Sequence, residues 1–265
     1  MTRVPKIFWL SSLGVFIFLY LPVVVLIVLS FNDSQMGVAW KGFSLRWYDK
    51  LSHNPAFIDA MVNSLIIASV TTGVSVVLGV GTAIGLERLH ERARAFIDMG
   101  LVLPLVIPEI LLGVALLMMF VLIQMPLGFL TIILGHGVFS LPLTILIIRA
   151  RLRKLDPTWE DAARDLGASS WRVLTCVTLP LLKPAIVGAA LLTFTVSLDD
   201  FVVTFFVAGP GSTTLPLKVF SMIKTGMTPE INALSALLVL VSILGVGCSW
   251  VYQQRAGRIT EKSLL

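Results

Sequence analysis

The sequence predicts an all-α integral membrane protein with six transmembrane helices. Apolar residues make up 57% of the 265 residues, charged residues make up 13%, and the mean hydropathy is +0.94. These values lie outside the range of ordinary soluble domains. Nearly uncharged runs of the length that a helix needs to cross a bilayer also recur along the chain. Basic residues are concentrated in every second connecting segment, which is the third observation.

Six apolar runs are long enough to cross a bilayer as helices, at about 7–29, 62–86, 99–123, 129–148, 185–207 and 233–252. The first run is too long for the apolar core of a secretory signal, and no small-x-small cleavage site follows it, so we expect it to stay as an anchor. Gly81 and Gly85 in the second run favour close helix packing over nucleotide binding, because no strand precedes them. We predict one transmembrane domain over 1–265.

The basic residues predict the orientation. Fifteen of the 20 lysines and arginines fall in the N-terminus, the 87–98 loop, the 149–184 segment and the C-terminus. Both termini are therefore expected in the cytoplasm, and the net charge of +5 requires no nucleic acid partner. Cys176 and Cys248 then fall in a cytoplasmic loop and in a membrane helix, where a disulfide is not expected.

The charged segment 156–184, between the fourth and fifth spans, is expected to fold on the cytoplasmic surface. Asp156 and Pro157 are typical of a helix start, and Gly167 is typical of a helix end. Trp159 and Leu166 share one face of this short amphipathic helix. An interfacial helix on anionic lipid is one interpretation, and a contact with another protein is the other.

The charged segment resembles the EAA loop of binding-protein-dependent ABC importer permeases. The matching residues are Asp161-Ala162-Ala163, Leu166-Gly167-Ala168-Ser169 and Leu179-Pro180. In this family the loop is a coupling helix that sits in a groove of the ATPase subunit. The resemblance implies that role for Glu160, Asp161, Ala162, Ala163 and Gly167. The acidic position of the pattern is Asp161 instead of glutamate, so either it or Glu160 is the candidate.

Four further stretches extend the resemblance over nearly the whole chain: 18–32, 63–68, 197–211 and 229–234. They are similar to the PotC and PotI type permease subunits of spermidine/putrescine ABC importers. The resemblance implies polyamine import by alternating access across the bacterial inner membrane. It also implies a second permease of the PotB or PotH type, two copies of an ABC ATPase and a periplasmic polyamine-binding protein. Putrescine, spermidine and other small cations or amines remain open as cargo.

The chain is expected to be a transport subunit and not an enzyme. No G-x-x-x-x-G-K-[ST] loop is present in the sequence, so ATP and magnesium are expected in a separate ATPase, with no cofactor in this chain. His53, His90 and His136 lack a neighbouring nucleophile or metal ligand in sequence, and we assign them no chemistry.

Three acids fall within predicted spans: Glu109, Asp199 and Asp200. An ionised carboxylate at a helix centre costs about 2.5–3.5 kcal/mol on insertion scales, so each needs water, a proton, a partner or a cationic ligand. Since no lysine or arginine lies inside a span, we predict that these acids meet a cation. The alternative is that they are neutral and bond between helices. Pro108, directly before Glu109, predicts a kink.

Helical geometry separates the two aspartates. Asp200 shares a polar stripe with Thr193, Ser197 and Thr204, whereas Asp199 lies on another face. We therefore expect Asp200 to contact the cargo and Asp199 to bond to a neighbouring helix. A secondary ion-coupled transporter is an alternative function, although no inverted hydropathy repeat supports it. An intramembrane hydrolase is disfavoured, because neighbours on a helix diverge by about 100°.

The outer loops carry two more expectations. Trp40, Trp47 and Tyr48 are interpreted as an interfacial aromatic belt. The segment 209–233 is expected to contain a short helix near the outer surface, and its role as a gate or a docking ledge is open.

Overall fold

The computed structural model describes residues 6–34, 39–225, 229–240 and 243, and regular structure in these residues is helical apart from one isolated bridge between Asn32 and Phe43. The helices are α1 (Lys6–Ser30), α2 (Arg46–Ser52), α3 (Pro55–Glu87), α4 (Glu91–Val106), α5 (Glu109–Leu122), α6 (Phe129–Leu152), α7 (Thr158–Asp165), α8 (Ser170–Val173), α9 (Leu179–Asp199), α10 (Val202–Val207), α11 (Leu215–Thr225) and α12 (Glu230–Leu240). A π-helical turn, Leu174–Thr178, joins α8 to α9. The predicted all-α class is confirmed.

Four helical stretches of the described residues are long and apolar enough to cross a membrane: Ser11–Ser30, Pro55–Glu87, Phe129–Leu152 and Ser170–Asp199. They overlap the predicted spans at 7–29, 62–86, 129–148 and 185–207. The total becomes five if α4 and α5 together form one span. The sixth prediction, 233–252, falls on α12 and then mostly outside the described residues. Six spans therefore stay a prediction.

Two of the predicted spans are broken. The span predicted at 99–123 consists of α4 and α5, which are bent by 104° relative to each other. Pro108 cannot donate a backbone hydrogen bond and disfavours helical geometry at Ile107, so the break falls at these two residues. The span predicted at 185–207 ends as a helix at Asp199 and resumes at Val202.

The chain divides into two compact units. The first comprises Met1–Ile58 with Val219–Leu265, and the second is Asp59–Lys218. In the first unit, buried Asn32 organises the loop after α1, because its side-chain amide donates to the carbonyl of Ala39 and accepts from the N–H of Lys41, each at 2.9 Å. The single domain over 1–265 stays a prediction.

The predicted aromatic belt is wrong for Trp47. Its side chain is 4% exposed, and its indole N–H donates to the carbonyl of Asn32 at 2.8 Å. The Tyr48 hydroxyl lies 2.7 Å from the hydroxyl of Ser30. These contacts hold α2 against the end of α1. A tryptophan in an outer loop is therefore not always at the membrane interface. Its indole N–H can instead bond to a nearby backbone carbonyl, and the side chain is then buried in the protein.

The second unit is built around α6. Buried side chains form two clusters against it, one of Ile67, Leu116, Phe120, Ile132, Val203 and Val207, the other of Ala83, Leu86, Ile145, Ile148, Leu182 and Ala189. Helix α10 packs closely on α5, because a Cβ at Gly113 would lie 2.5 Å from Cδ2 of Phe206. This packing fixes α10 in the bundle, directly after the break at Asp200.

A short helix does occur in the predicted outer segment, where α11 spans Leu215–Thr225. The turn before it is fixed to α3. The side-chain amide of Asn63 donates to the carbonyls of Gly211 and Thr213, at 3.1 and 3.0 Å, and the hydroxyl of Ser64 accepts from the N–H of Leu215 at 2.8 Å. The role of this segment stays open.

Candidate functional site

The first break places Glu109 at the start of α5. Ile107 and Pro108 are extended, and Glu109 is the first residue of the new helix, with an exposed side chain. The N-terminus of a helix carries unpaired N–H groups and a partial positive charge, which tolerate a carboxylate well. The predicted kink at Pro108 is confirmed, and it delivers the carboxylate to a helix end instead of a helix flank.

The second break separates the two aspartates. Asp199 ends α9, and Asp200 has extended backbone angles of φ −65° and ψ 120°. Its carboxylate then caps α10, because Oδ2 accepts from the N–H and the hydroxyl of Thr204 at 2.8 and 2.9 Å. An acidic side chain in this position satisfies an otherwise unpaired N–H of the following helix.

Asp200 also bonds to His136, which no sequence signal near it predicted. The Nε2 atom of His136 lies 3.0 Å from Oδ2 of Asp200, and the two side chains are 1% and 7% exposed. The other ring nitrogen, Nδ1, lies 2.7 Å from the hydroxyl of Ser197. His136, Ser140 and Thr144 recur every four residues on α6, and this polar period would have been the signal.

The structure brings the three predicted acids together. Glu109, Asp199 and Asp200 line one groove of about 330 Å³, which we call the carboxylate groove. Its other lining residues are mostly apolar or aromatic: Phe139, Thr195, Val196, Phe201 and Val202. Within the described part of the chain, no basic side chain forms an ion pair with Glu109 or Asp199. Such a groove attracts a cation that also has apolar surface.

The two aspartates both line the carboxylate groove, but their bonds differ from those expected, and their roles towards cargo stay a prediction. Asp200, predicted to contact the cargo, bonds to His136 on a neighbouring helix, whereas Asp199, predicted to bond between helices, is exposed in the carboxylate groove. The predicted stripe assumed one continuous helix with about 100° per residue. The helix stops at Asp199, so that periodicity does not extend to Asp200.

Metal binding has no support in the described residues. No group of three or more His, Cys, Asp or Glu side chains there is arranged to hold a metal ion. The acids of the carboxylate groove come with one histidine that is already bonded on both ring nitrogens.

The charged segment folds as two short helices around a glycine turn. Gly167 has φ +82°, and the N–H groups of Gly167 and Ala168 close α7 by donating to the carbonyls of Arg164 and Ala163. This left-handed turn favours glycine strongly. Ser169 then caps α8, as its side chain accepts from the N–H of Arg172.

The start of α7 differs slightly from the prediction. Pro157, not Asp156, directly precedes the helix at Thr158. Asp156 still provides the capping bond, since its Oδ1 accepts from the N–H of Thr158 at 3.0 Å. Hydrogen bonds from Thr158 hold the pKa of the Asp156 carboxyl below its ordinary value.

The two acids of α7 have different surroundings. Glu160 accepts from the hydroxyl of Thr178 at 2.6 Å and from Arg164 at 2.8 Å, and so is held within the segment. Asp161 is exposed and accepts from Arg164 at 2.9 Å. Asp161 is the more accessible of the two, with 67% of its side chain exposed against 32% for Glu160. Ala162 is exposed and Ala163 is half-buried beside it.

Large apolar side chains of the charged segment face outward. Trp159, Leu166 and Trp171 are 63%, 89% and 73% exposed. Trp159 lines a cleft of about 340 Å³ together with Glu160 and Arg164. Exposed apolar groups of this size beside charged ones are typical of an interaction surface.

Sequence reasoning missed an ion-pair cluster where the bundle meets the charged segment. Glu87 accepts from Arg149 at 3.0 Å and from Arg153 at 2.9 Å, and it also pairs with Arg94 at 3.3 Å. Asp98 takes both terminal nitrogens of Arg149, whose side chain is 4% exposed. The ion-pair cluster joins the ends of α3, α4 and α6.

Comparison with known proteins assigns the family. Residues 75–257 match the family described as binding-protein-dependent transport system inner membrane component. The chain belongs to this family. The permease is therefore an inner membrane component of a transport system that works with a binding protein.

Relatives and solved structures agree with this assignment. The permease is 38% identical over 233 residues to the spermidine/putrescine transport system permease protein PotC of Escherichia coli K12, covering 88% of both chains. It is 40% identical over 249 residues to the putrescine transport system permease protein PotI of the same organism, covering 91% of this chain and 88% of that one. Its fold matches a chain of a bacterial ABC transporter that imports alginate, with a TM-score of 0.73, 15% identity and 94% coverage of both chains.

Proposed function

We propose that this permease is one transmembrane subunit of an ATP-driven importer that moves putrescine or spermidine from the periplasm to the cytoplasm by alternating access. The observation that carries the proposal is the carboxylate groove, with Glu109 and Asp199 exposed in it and no basic partner among the described residues. The identity to polyamine permeases over most of the chain supports the same cargo class.

The chemistry of the groove suits a linear polyamine. Such a molecule alternates ammonium groups with methylenes, so it needs separated carboxylates with apolar surface between them. Glu109 and Asp199 supply the charge from two different helix ends, and Phe139 and Phe201 supply aromatic surface. Ammonium groups are attracted both to carboxylates and to ring faces. An anionic cargo would be repelled from this groove.

Uptake in proteoliposomes tests the function. The permease would be reconstituted with its second permease, its ATPase and its binding protein, and labelled putrescine and spermidine would be followed with and without ATP. We expect uptake that depends on ATP. Uptake driven by an ion gradient without ATP would favour a secondary transporter, and ATP-dependent uptake of an anion but of no amine would overturn the cargo.

The charged segment is the proposed coupling contact with the ATPase. Its exposed apolar side chains, its accessible Asp161 and the rigid turn at Gly167 support this role. Leu166→Asp should uncouple ATP hydrolysis from uptake or release the ATPase, while Asp165→Asn, beside it on the same surface, should do neither. Normal uptake and normal ATPase retention in Leu166→Asp would exclude the segment as the coupling contact.

Six spans with cytoplasmic termini complete the proposed topology, which places the charged segment in the cytoplasm. Cys176 is exposed in the π-helical turn and can report this side. In a Cys248→Ser background, a membrane-impermeant thiol reagent should label Cys176 in inverted vesicles and leave it unlabelled in intact cells with a permeable outer membrane. The opposite labelling pattern would contradict the proposed orientation and place the charged segment outside the cytoplasm.

The proposed partners rest on the similarity to spermidine/putrescine transport permeases. They are a second permease of the PotB or PotH type, two copies of the ABC ATPase, a periplasmic polyamine-binding protein and membrane lipid. ATP and Mg²⁺ would be bound by the ATPase, since the sequence has no phosphate-binding loop. Copurification on a tagged permease measures this composition directly.

A further inference from the structure

Both ring nitrogens of His136 have hydrogen-bonding partners, although the residue lies inside a membrane bundle. The side chain is 1% exposed in the middle of α6. Nδ1 lies 2.7 Å from the hydroxyl of Ser197, and Nε2 lies 2.9 Å from the hydroxyl of Thr204 and 3.0 Å from Oδ2 of Asp200. Burial of an imidazole is costly unless its nitrogens find partners, and here both do.

The surrounding bonds define the proton on Nε2. The hydroxyl of Thr204 donates to Asp200, so it can only accept from the ring, and an ionised Asp200 accepts in every bond. Nε2 must therefore carry a hydrogen. Nδ1 can accept from Ser197 when the ring is neutral or donate to it when the ring is charged, so the contact persists in either state.

The partners of His136 lie on both sides of the break between α9 and α10. Ser197 is in the last turn of α9, Asp200 is at the break, and Thr204 is in α10. One side chain of α6 thus holds the end of one helix, the start of the next and the residue between them. The break contains no proline or glycine that would fix its position by itself.

We propose that His136 is a positioning residue of the cargo site. By fixing Asp200 at the break, it makes Asp199 the aspartate that is presented to the cargo in the carboxylate groove. This inference rests on the proposed function and adds a specific residue to it.

The charges of the groove support this role. Asp200 already accepts from three donors and is 7% exposed, whereas Asp199 is exposed beside it. Asp199 lies between Ser197 and Asp200, the two residues on either side of it that His136 holds. Without His136, α6 would no longer hold this end of α9, and the separation between the carboxylates of Asp199 and Glu109 in the carboxylate groove would no longer be fixed.

Uptake kinetics of variants in the complete, reconstituted importer test the inference. His136→Leu should raise the cargo concentration for half-maximal uptake about tenfold, the size of one lost charge-assisted hydrogen bond. The maximal rate and ATPase retention should stay within about twofold of wild type. His136→Gln, which keeps an N–H donor, should recover most of the loss. Thr144→Val removes a hydrogen bond to Thr193 in the same α6–α9 interface, 2.9 Å long, and is the matched control.

A double-mutant cycle separates positioning from a general structural role. If His136 acts through Asp199, then His136→Leu in an Asp199→Asn background should add less than about a twofold change. Independent, multiplicative effects would overturn the proposal, as would an unchanged half-maximal concentration in His136→Leu. If His136→Leu does not assemble, Ser197→Ala decides, because it removes the Nδ1 partner alone: a raised half-maximal concentration supports the proposal, and an unchanged one overturns it.

Failure of this inference is distinguishable from failure of the proposed function. A wild-type complex that takes up no polyamine with ATP contradicts the function itself. A wild-type complex that transports polyamines but is insensitive to His136 and Ser197 variants contradicts the positioning role alone.

Discussion

The ion-pair cluster and the carboxylate groove both contain acidic side chains among apolar helices, but they differ in whether these acids are paired with basic side chains. Glu87 and Asp98 are paired with arginines of the same chain, with Arg149 buried between them. Glu109 and Asp199 are exposed in a groove and have no ion pair among the described residues. The first arrangement pairs its charges within the chain, and the second leaves two carboxylates exposed in an open groove.

The two arrangements predict different consequences when a charged side chain is removed. A charge that is satisfied within the chain stabilises the helix bundle, and its loss should affect folding. A charge without an internal partner costs free energy unless a ligand, water or a second subunit compensates it. Its loss should affect binding and leave the bundle intact. Five substitutions, in four experiments, test this contrast.

Loss of Arg149 should have the largest effect. Arg149→Met leaves Glu87 and Asp98 without their buried partner, and breaking such a pair costs about 3 kcal/mol. We expect a lower melting temperature and poor recovery of the assembled complex. Arg153→Gln is the control, because Arg153 is 52% exposed and such pairs contribute below about 1 kcal/mol. Equal stability of the two variants would contradict the distinction between buried and exposed arginines.

A charge introduced into the groove should convert it into a paired cluster. Thr195 lines the groove one turn before Asp199, so Thr195→Lys supplies the missing partner at i, i+4. Repulsion between the new ammonium and a cationic cargo should lower uptake at low substrate by about 100-fold, with assembly retained. Thr195→Gln adds size without charge and should retain most activity. Equal loss in both variants would point to steric blockage.

Removal of a groove acid should have a smaller effect on binding. Asp199→Asn and Glu109→Gln should each raise the cargo concentration for half-maximal uptake by about tenfold, because each removes one charge-assisted contact. Thermal stability of the complex should hardly change. Asp59→Asn, at an exposed position outside the groove, serves as control. Wild-type kinetics in both groove variants would show that these carboxylates do not bind the cargo.

The smallest effect is expected in the charged segment. Arg164 pairs with Glu160 and Asp161, but its side chain is 46% exposed and water screens these pairs. Arg164→Gln should therefore lower the stability of the purified complex by less than about 1 kcal/mol. If Arg164→Gln lowers the melting temperature as much as Arg149→Met does in the same experiment, the exposed pairs of Arg164 contribute as much stability as the ion-pair cluster.

The sequence predicted the features that depend on local composition. Continuous apolar runs located α1, α3 and α6, because a bilayer-spanning helix needs about 20 such residues. Pro108 predicted the first break through its missing N–H. Glu109, Asp199 and Asp200 were identified as the unusual groups of their spans, and the structure places all three in one groove.

Features that depend on distant contacts were not predictable in this way. His136 meets Ser197 from 61 residues away, and Arg149 meets Glu87 from 62 residues away. The break at Asp200 has no local breaker residue and arises from bonds to α6 and α10. The bonds expected for Asp199 and Asp200 differ from those observed for that reason, since the expectation took the helix as continuous.

The π-helical turn Leu174–Thr178 determines how far α8 is rotated about the helix axis relative to α9. It lies within a continuous helical stretch, Ser170–Asp199, and holds one residue more per turn than α-helical winding would. Deletion of one residue there would restore ordinary winding and rotate Trp171 by about 100° around the axis of α9. The exposed surface of α8 can thus be turned relative to α9 by a change of chain length alone, with its own side chains kept.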